Sequence, residues 1–209
     1  MSAEPQLNAR REVPVRQRLL DALEQSVVER GLLNTTVADI VRRAATSRRT
    51  FYEHFESKEA CYLEFLRVAH ERLGERVARA VDPSAHPVEQ MRQGVRAWMA
   101  AIEEHGAIYV SAVRELPGLG QRCRQLQRRN NEVMIGILQA LTDNPQLRAL
   151  GGAPVRRETA LVLLGGLREL AITIIEDGGS VADAEPAIFD AVYALFGPRA
   201  VLPDEASRT

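Results

Sequence analysis

The chain has 209 residues, of which 45% are apolar and 26% are charged, and its net charge is −1. This composition is typical of a globular protein and excludes a disordered tail protein or a collagen-like chain. The longest apolar run, Leu161 to Leu167, is much shorter than the ~18 residues that a membrane helix requires. No apolar stretch follows Arg10 and Arg11 to form a signal peptide. We therefore expect a soluble, cytoplasmic protein with no membrane partner.

The titratable side chains do not form a pattern that indicates catalysis or metal binding. Cys61 and Cys123 lie far apart in sequence and form no paired-thiol motif, which favours reduced core residues. Glu103, Glu104 and His105 are consecutive, so a helix would point them in diverging directions. His70 has no second histidine four residues later, as a zinc-binding helix needs. We expect neither an enzyme nor a cofactor nor a metal.

The hydrophobic pattern predicts an all-α fold of about nine helices, because apolar residues recur at spacings of three and four. The first predicted helix runs from about Pro14 to Arg30, where Gly31 ends it. A short second helix follows Thr36, which forms a capping box with Asp39. Helix caps also begin the next two predicted helices, one from Ser47 through Phe55 and one after Ser57, from Lys58 to about Ala80.

Five further helices are predicted in the remaining two thirds of the chain. They run from about Val88 to Gly106, from Ala107 to Leu116, from beyond Gly120 to Asn144, from Val155 to Asp177 and from Ala184 to Phe196. The last two are apolar on nearly every side, so each must be covered all round. We therefore expect a two-fold dimer through this pair. The candidates for the dimer interface are Leu167, Ile174, Val192 and Phe196.

The segment from Thr35 to Ala60 has the layout of a helix-turn-helix, in which the second helix enters the DNA major groove. Its turn is Ala45-Thr46-Ser47. At ~100° per residue, Phe51 and Phe55 point to one side of the second helix. Four other side chains fall together on the opposite side: Arg48, Arg49, Tyr52 and Glu53.

The residue types on this helix fit contacts to DNA. Arginine pairs with guanine O6 and N7, which predicts base contacts for Arg48 and Arg49. Phosphate oxygens suit the donors of Thr50, Tyr52 and His54, and Lys58 begins a helix, a favourable place to hold a phosphate. Simpler interpretations stay open for two sets of residues. Arg42 and Arg43 can form a solvated helix face, and His54 can be a packing residue.

The residues from Thr36 to Ile40 and from Ala44 to Ala60 closely resemble the DNA-binding domain of the tetracycline-repressor (TetR) family of bacterial regulators. The similarity is highest in the run Thr50-Phe51-Tyr52-Glu53-His54-Phe55-Glu56-Ser57-Lys58-Glu59. In the family's pattern, the positions of Arg48 and Arg49 face bases. Five positions face the DNA backbone: Thr36, Thr50, Tyr52, His54 and Lys58. Two residues depart from the pattern, because Ala45 replaces a turn glycine and Leu32 replaces an aromatic residue.

The resemblance implies a homodimeric, ligand-responsive transcriptional repressor that binds a double-stranded DNA operator. It divides the chain into an N-terminal arm (1–13), a three-helix DNA-binding head (14–57) and a larger helical domain for effector binding and dimerisation (58–209). The helix that begins at Lys58 joins the head to the larger domain and would couple the two. The alternative from another class is a non-enzymatic helical protein–protein adaptor.

The resemblance also implies an effector pocket inside the larger domain, where two aromatic side chains and a thioether fit a largely apolar ligand. The candidate effector-binding residues are Trp98, Ile102, Tyr109, Arg114, Met134 and Leu138. Tyr109 and Arg114 are the polar members of this set, and Arg114 can pair with a carboxylate. A filled core in which Trp98 simply packs is the alternative.

Overall fold

The structure, a computed structural model, describes residues 13–115 and 120–197, so the predicted arm lies almost entirely outside the described residues. The described residues form ten α-helices, one 3₁₀ turn at Val181–Ala184 and no strand, which confirms the all-α prediction. The helices are α1 Val15–Asn34, α2 Val37–Arg43, α3 Arg48–His54, α4 Lys58–Ala80, α5 Pro87–Glu104, α6 Gly106–Glu115, α7 Gln121–Thr142, α8 Pro145–Ala149, α9 Arg157–Glu176 and α10 Glu185–Phe196.

Most predicted helix boundaries lie close to these bounds, but α1 continues past Gly31, where the sequence predicts its end, to Asn34. The helix from Lys58 to Ala80 has the predicted bounds, and Gly31 interrupts α1 with a φ of 77°. Helix α8 was not predicted, because its five residues are too few to show a period. It begins where Asn144 accepts a hydrogen bond from the backbone N–H of Gln146 at 2.8 Å, and it buries Leu147 completely.

The chain folds into two compact units, each built from two segments of the chain. One unit contains residues up to 71 together with 105–127, and the other contains residues 72–104 and those from 128 onward. The first part of α4, all of α6 and the start of α7 therefore belong to the unit that holds α1, α2 and α3. The DNA-binding head predicted at 14–57 is thus part of a larger compact unit.

One hydrophobic core holds the first unit together. Leu19 and Leu23 of α1, Ile40 of α2 and Phe51 of α3 have no exposed surface and lie in this core. Helices α4, α6 and α7 add Tyr62, Ile108 and Cys123 respectively.

Helix α6 is attached to α1 at both ends. His105, the residue before α6, lies 3.0 Å from the Glu24 carboxylate through its Nδ1. At the other end, the carboxylate of Glu115 accepts a hydrogen bond from the backbone N–H of Leu33 at 3.2 Å. Between them, the hydroxyls of Tyr62 and Ser111 are hydrogen-bonded at 3.0 Å in the core. Burial raises the pKa of the Tyr62 phenol, which is therefore a neutral partner in this bond.

In the second unit, α10 packs against α5 and against α9. The Arg92 guanidinium of α5 lies over the ring of Phe189 on α10, with its carbon 3.8 Å from the ring centre. Glu185 at the start of α10 pairs with Arg96 at 2.7 Å. These contacts attach α10 to α5 through both apolar and charged groups.

The apolar side chains of the last two helices, α9 and α10, differ in how far they are buried. Val192 and Phe196 are buried inside the single chain, and Ile174 is half-buried. The exposed large apolar side chains on α9 and α10 are Val162, Leu170 and Tyr193. The dimer interface at Leu167, Ile174, Val192 and Phe196 stays a prediction, although side chains that are already buried add little to a contact with a partner.

Candidate nucleic-acid interface and effector cavity

Helices α2 and α3 begin at side-chain caps that the sequence predicts. The Thr36 hydroxyl accepts a hydrogen bond from the Asp39 backbone N–H at 3.2 Å, and the Asp39 carboxylate accepts one from the Thr36 N–H at 3.1 Å. Hydrogen bonds from the Thr36 hydroxyl and then from its backbone N–H lower the pKa of Asp39. Ser47 accepts a hydrogen bond from the Thr50 N–H at 3.0 Å and so begins α3. The capping box and the serine cap are confirmed.

The turn between α2 and α3 requires a left-handed residue, which here is an alanine. Ala45 has a φ of 51°, and it is the one non-glycine residue with positive φ in the described part of the chain. Its β-carbon crowds the backbone in this conformation, which costs roughly 1–2 kcal/mol. Ala45, which stands where the family pattern has glycine, therefore adopts a left-handed conformation that glycine would adopt without strain.

Helix α3 separates its side chains into a buried and an exposed face. Phe51 is completely buried and Phe55 is 6% exposed, which confirms that both phenylalanines pack inward. Arg48 and Arg49 are exposed, and Arg49 forms a salt bridge with Glu53 at 3.2 Å on the helix surface. Tyr52 is 57% exposed, with its ring edge against Phe51. One outward surface therefore presents two arginines and a phenol.

The other predicted backbone contacts lie around this surface. Thr36 is exposed at the start of α2, where its hydroxyl also donates to the Asp39 carboxylate at 2.6 Å. The Thr50 hydroxyl is half-buried and lies 2.9 Å from that of Ser47. His54 is exposed at the end of α3. Each of these side chains reaches solvent near α3, although the two threonine hydroxyls already have partners within the chain.

Lys58 occupies a different environment from the one the sequence suggests. Its side chain is only 17% exposed, and its ammonium donates a hydrogen bond to the Leu32 carbonyl at 2.7 Å. That carbonyl follows the interruption of α1 at Gly31 and also accepts a hydrogen bond from the Thr35 N–H at 3.2 Å. The ammonium therefore helps to hold the end of α1, and the phosphate contact expected of Lys58 stays a prediction.

The two arginines of α2 differ in a way that the sequence does not reveal. Arg43 binds α1, through the carboxylate of Glu29 and the amide oxygen of Gln25. Arg42 is 73% exposed and pairs with Asp39 of its own helix. A further arginine, Arg16, has its guanidinium carbon 5.4 Å from the centre of the Phe55 ring. No local sequence signal identifies the partners of Arg43 and Arg16, which are distant in sequence.

The second unit contains an apolar cavity of about 70 Å³ between α4, α5, α7, α9 and α10. Trp98, Met134 and Leu138 line it, together with Met91, Leu163 and Phe196. Leu167 and Val192, expected at a dimer interface, also face this space. The cavity is less than half the size of the ~150 Å³ apolar cavity that accommodates benzene. A larger ligand therefore needs side chains to move, which the flexible thioethers of Met91 and Met134 allow.

Three of the predicted effector-binding residues are not among those that line the cavity. Ile102 is buried elsewhere in the second unit, with 3% of its surface exposed. Tyr109 and Arg114 lie on α6, which belongs to the first unit because it packs against α1. Arg114, the predicted cation, is therefore not among the residues that line this cavity, and its contact with an effector stays a prediction.

An open groove of about 590 Å³ adjoins the cavity. Two residues, Gln90 and Leu141, line both spaces and separate them. The Gln90 amide is 6% exposed and donates hydrogen bonds to the carbonyls of Pro83 at 3.2 Å and Ala85 at 2.8 Å. Its oxygen accepts one from Asn144 at 3.2 Å. The partition is therefore held by a fully hydrogen-bonded side chain.

Neither a metal site nor a membrane helix is found within the described ranges. No cluster of three or more His, Cys, Asp or Glu side chains there is arranged to hold a metal ion. Likewise, no helix in that part of the chain combines the length and apolarity needed to cross a membrane.

The N-terminal part of the chain is similar in sequence to known regulators. A sequence model described as "Bacterial regulatory proteins, tetR family" matches residues 19–65. The HTH-type transcriptional repressor KstR2 of Mycobacterium tuberculosis is 38% identical over 89 residues, which are 43% of this chain and 44% of that repressor. The repressor DhaR of Mycobacterium sp. strain GP1 is 31% identical over 96 residues, 46% and 48% of the two chains. The chain thus matches about half the length of these curated relatives.

Solved structures resemble the fold over most of the chain at low identity. FadR of Bacillus subtilis, described as a complex with stearoyl-CoA, has a TM-score of 0.73 and 14% identity over 84% of this chain and 96% of that chain. NemR of Escherichia coli has a TM-score of 0.70 and 16% identity, covering 90% of this chain and 100% of that one. Together with the capped helix-turn-helix and its outward arginines, the sequence match shows that residues 19–65 belong to the tetR family of bacterial regulatory proteins.

Proposed function

We propose that the protein is a sequence-specific transcriptional repressor that binds operator DNA through α3. The observation that carries this proposal is the surface of α3, where Arg48, Arg49 and Tyr52 are exposed while Phe51 fixes the helix in the core. Arginines at the start of a helix in the major groove reach guanine edges. Similarity to KstR2 and DhaR, both named as repressors, supports the direction of regulation. Because the proposed partner is chromosomal DNA, we place the protein in the cytoplasm.

The test begins with selection of bound fragments from random duplex DNA, which identifies the operator. On that operator, Arg48→Ala or Arg49→Ala should cost about 1–3 kcal/mol of binding free energy and relax preference at one or two base pairs. Arg79→Ala is a matched control, since Arg79 is 74% exposed and pairs with Glu75 four residues away, as Arg49 does with Glu53. Arg79 lies in the second unit, and its loss should leave DNA affinity unchanged.

Two results would contradict this assignment. One is operator affinity that falls equally in the Arg79→Ala control and in the α3 variants. The other is failure to enrich any duplex, or binding without a steep decrease in affinity as salt rises, because phosphate contacts release counterions. The second result would favour the protein–protein adaptor.

We also propose contacts to the DNA backbone from Tyr52, His54, Thr36 and Thr50. The exposed phenol of Tyr52 has the most freedom to reach a phosphate. Such contacts orient the protein without carrying sequence information. Tyr52→Phe should therefore weaken binding to every duplex alike, whereas Arg48→Ala should change the ranking of sequences.

We propose that the active form is a two-fold homodimer through the outward faces of α9 and α10. The face of α9 exposes Val162, Gly166 and Leu170, spaced by four residues on one side of the helix. The face of α10 exposes the small side chains of Ala187, Ala191 and Ala194. Small residues allow two helices to approach closely, and a two-fold axis would bring each face against its copy.

Light scattering tests this interface. Leu170→Glu should convert the dimer to a monomer at micromolar concentration, because it places charge in the proposed contact. Val133→Glu is the control, since Val133 is a similarly exposed apolar residue on α7. A Leu170→Glu protein that remains dimeric would place the interface elsewhere.

We propose that a small molecule bound in the cavity of the second unit controls DNA binding. The cavity and its single tryptophan lie in that unit, and the FadR neighbour is described as binding stearoyl-CoA. Helix α4 has its first residues in the core of one unit and Val77 at the cavity of the other, so it is the proposed coupling element. The shift in DNA affinity cannot exceed the difference in ligand affinity between the two states.

A ligand that controls DNA binding should change Trp98 fluorescence and operator affinity with the same apparent dissociation constant. Trp98→Ala should lower the affinity for that ligand more than it lowers the affinity for operator DNA. A ligand that releases DNA but leaves Trp98 emission unchanged would show that the effector site lies elsewhere.

A further inference from the structure

We propose that the effector is an uncharged amphiphile whose hydrocarbon part fills the cavity and whose polar end lies in the adjoining groove. This inference rests on the proposed effector role of the cavity and names the chemistry of the ligand. It follows from three observations: the charges around the two spaces, the hydrogen bonding of their polar side chains, and the partition between them.

The first observation concerns charge. The described residues that line the cavity include no Asp, Glu, Lys, Arg or His. Those that line the groove include one charged residue, Asp143, whose carboxylate pairs with Arg148 at 2.7 Å. An ionised group that enters the cavity loses its hydration and gains no counterion, which is strongly unfavourable. The wall therefore selects against carboxylates, phosphates and ammonium groups.

The second observation concerns hydrogen bonding. Besides Trp98, whose indole carries one N–H, the polar side chains in the cavity wall are Gln90 and Thr142. The Thr142 hydroxyl donates to the Leu138 carbonyl at 2.8 Å and accepts from the Val155 N–H at 3.0 Å. The Gln90 amide has partners on both its nitrogen and its oxygen. Because Gln90 and Thr142 are already paired, the cavity contacts a ligand mainly through apolar groups.

The third observation is the partition formed by Gln90 and Leu141. On its far side the groove is open and bordered by Asn144 and Gln146. A hydroxyl or carbonyl group placed there loses little hydration, whereas an ionised group next to the uncharged wall loses more and finds no free counterion, because Asp143 and Arg148 are already paired. A ligand with an apolar body and one uncharged polar end therefore matches both spaces once the Leu141 side chain moves aside.

The test uses three probes with the same eight-carbon alkyl chain: 1-octanol, nonanoate and octyltrimethylammonium. At pH 8 nonanoate is ionised, since carboxyl groups titrate near pH 4 to 5. Binding to the full-length protein is followed by Trp98 fluorescence and by calorimetry. We expect 1-octanol to bind at least tenfold more tightly than either charged probe. No binding of 1-octanol, or comparable binding of a charged probe, would overturn the inference.

A cavity variant and a matched control show whether the probe occupies this space. Gly94 lines the cavity, and a β-carbon added there meets Val81 and Val77 at ordinary distances of 3.8 and 3.9 Å. Gly94→Ala should therefore stabilise α5 by favouring the helix while it reduces the cavity. Gly136→Ala makes the same change inside α7 at a position with no atom within 4 Å of the new carbon.

We expect Gly94→Ala to lower the affinity for 1-octanol about three- to tenfold with no loss of thermal stability. Gly136→Ala should bind 1-octanol as tightly as the unmodified protein does. Equal affinity of the two variants would place the probe outside the cavity and overturn the inference. Operator binding is measured separately. If 1-octanol binds as expected but leaves operator affinity unchanged, the ligand class stands as a property of the cavity and the proposed control of DNA binding is refuted.

Discussion

Replacement of Ala45 by glycine should stabilise the protein. Ala45 has a φ of 51°, whereas its neighbour Ala44 has a right-handed conformation with a φ of −73°. Relief of the left-handed strain should raise the free energy of unfolding by roughly 1–2 kcal/mol. The greater freedom of glycine in the unfolded chain should lower it by about 0.4–1 kcal/mol. Ala45 is exposed, so its methyl group contributes little burial. We therefore expect a net gain of about 0.5–1 kcal/mol.

Urea unfolding followed by circular dichroism measures this gain, with Ala44→Gly as the control. Ala44 is 5% exposed and needs no left-handed backbone, so glycine there should destabilise by about 1 kcal/mol. The two neighbouring substitutions should therefore have opposite signs. A loss of stability in both would refute the strain argument. Operator affinity of Ala45→Gly should match that of the unmodified protein, because the turn keeps its conformation.

Three further predictions concern the first unit. Lys58→Met should lower the free energy of unfolding by about 0.5–1.5 kcal/mol, because it removes one of the two hydrogen bonds to the Leu32 carbonyl and leaves only the one from the Thr35 N–H; an unchanged urea midpoint would contradict this. Hydrogen bonds from Arg67, and then from Arg16, lower the pKa of Glu64 to about 2. The ionised Glu64 therefore stabilises the folded state above its unfolded pKa, and this stabilisation decreases as pH falls from about 4.5 towards 2. Glu64→Gln should cost about 1–2 kcal/mol at pH 7 and progressively less in that range, whereas a pH-independent cost would refute the assignment. Burial raises the pKa of the Cys61 thiol to about 12, so Cys61 should react with a thiol reagent only after unfolding; rapid labelling of the native protein, read by mass spectrometry, would contradict its burial.

Local features of the sequence were sufficient to predict the helix-turn-helix. A capping box joins residues three apart, as in Thr36 and Asp39, and a serine cap acts over the same distance. The 100° spacing between residues is a property of a single helix, so the burial of Phe51 opposite the exposed Arg48 follows before any packing is known. These interactions are determined within a few residues, and their predictions agree with the structure.

Packing between distant segments decided the remaining features. The sequence shows that Lys58 begins a helix, but its hydrogen bond to the Leu32 carbonyl depends on how α1 meets α4. Val192 and Phe196 lie on a helix that is apolar on almost every side, so its pattern contains no polar face to show which residues point inward. Their place at the cavity follows from the packing of α10 against α5, which no local spacing encodes.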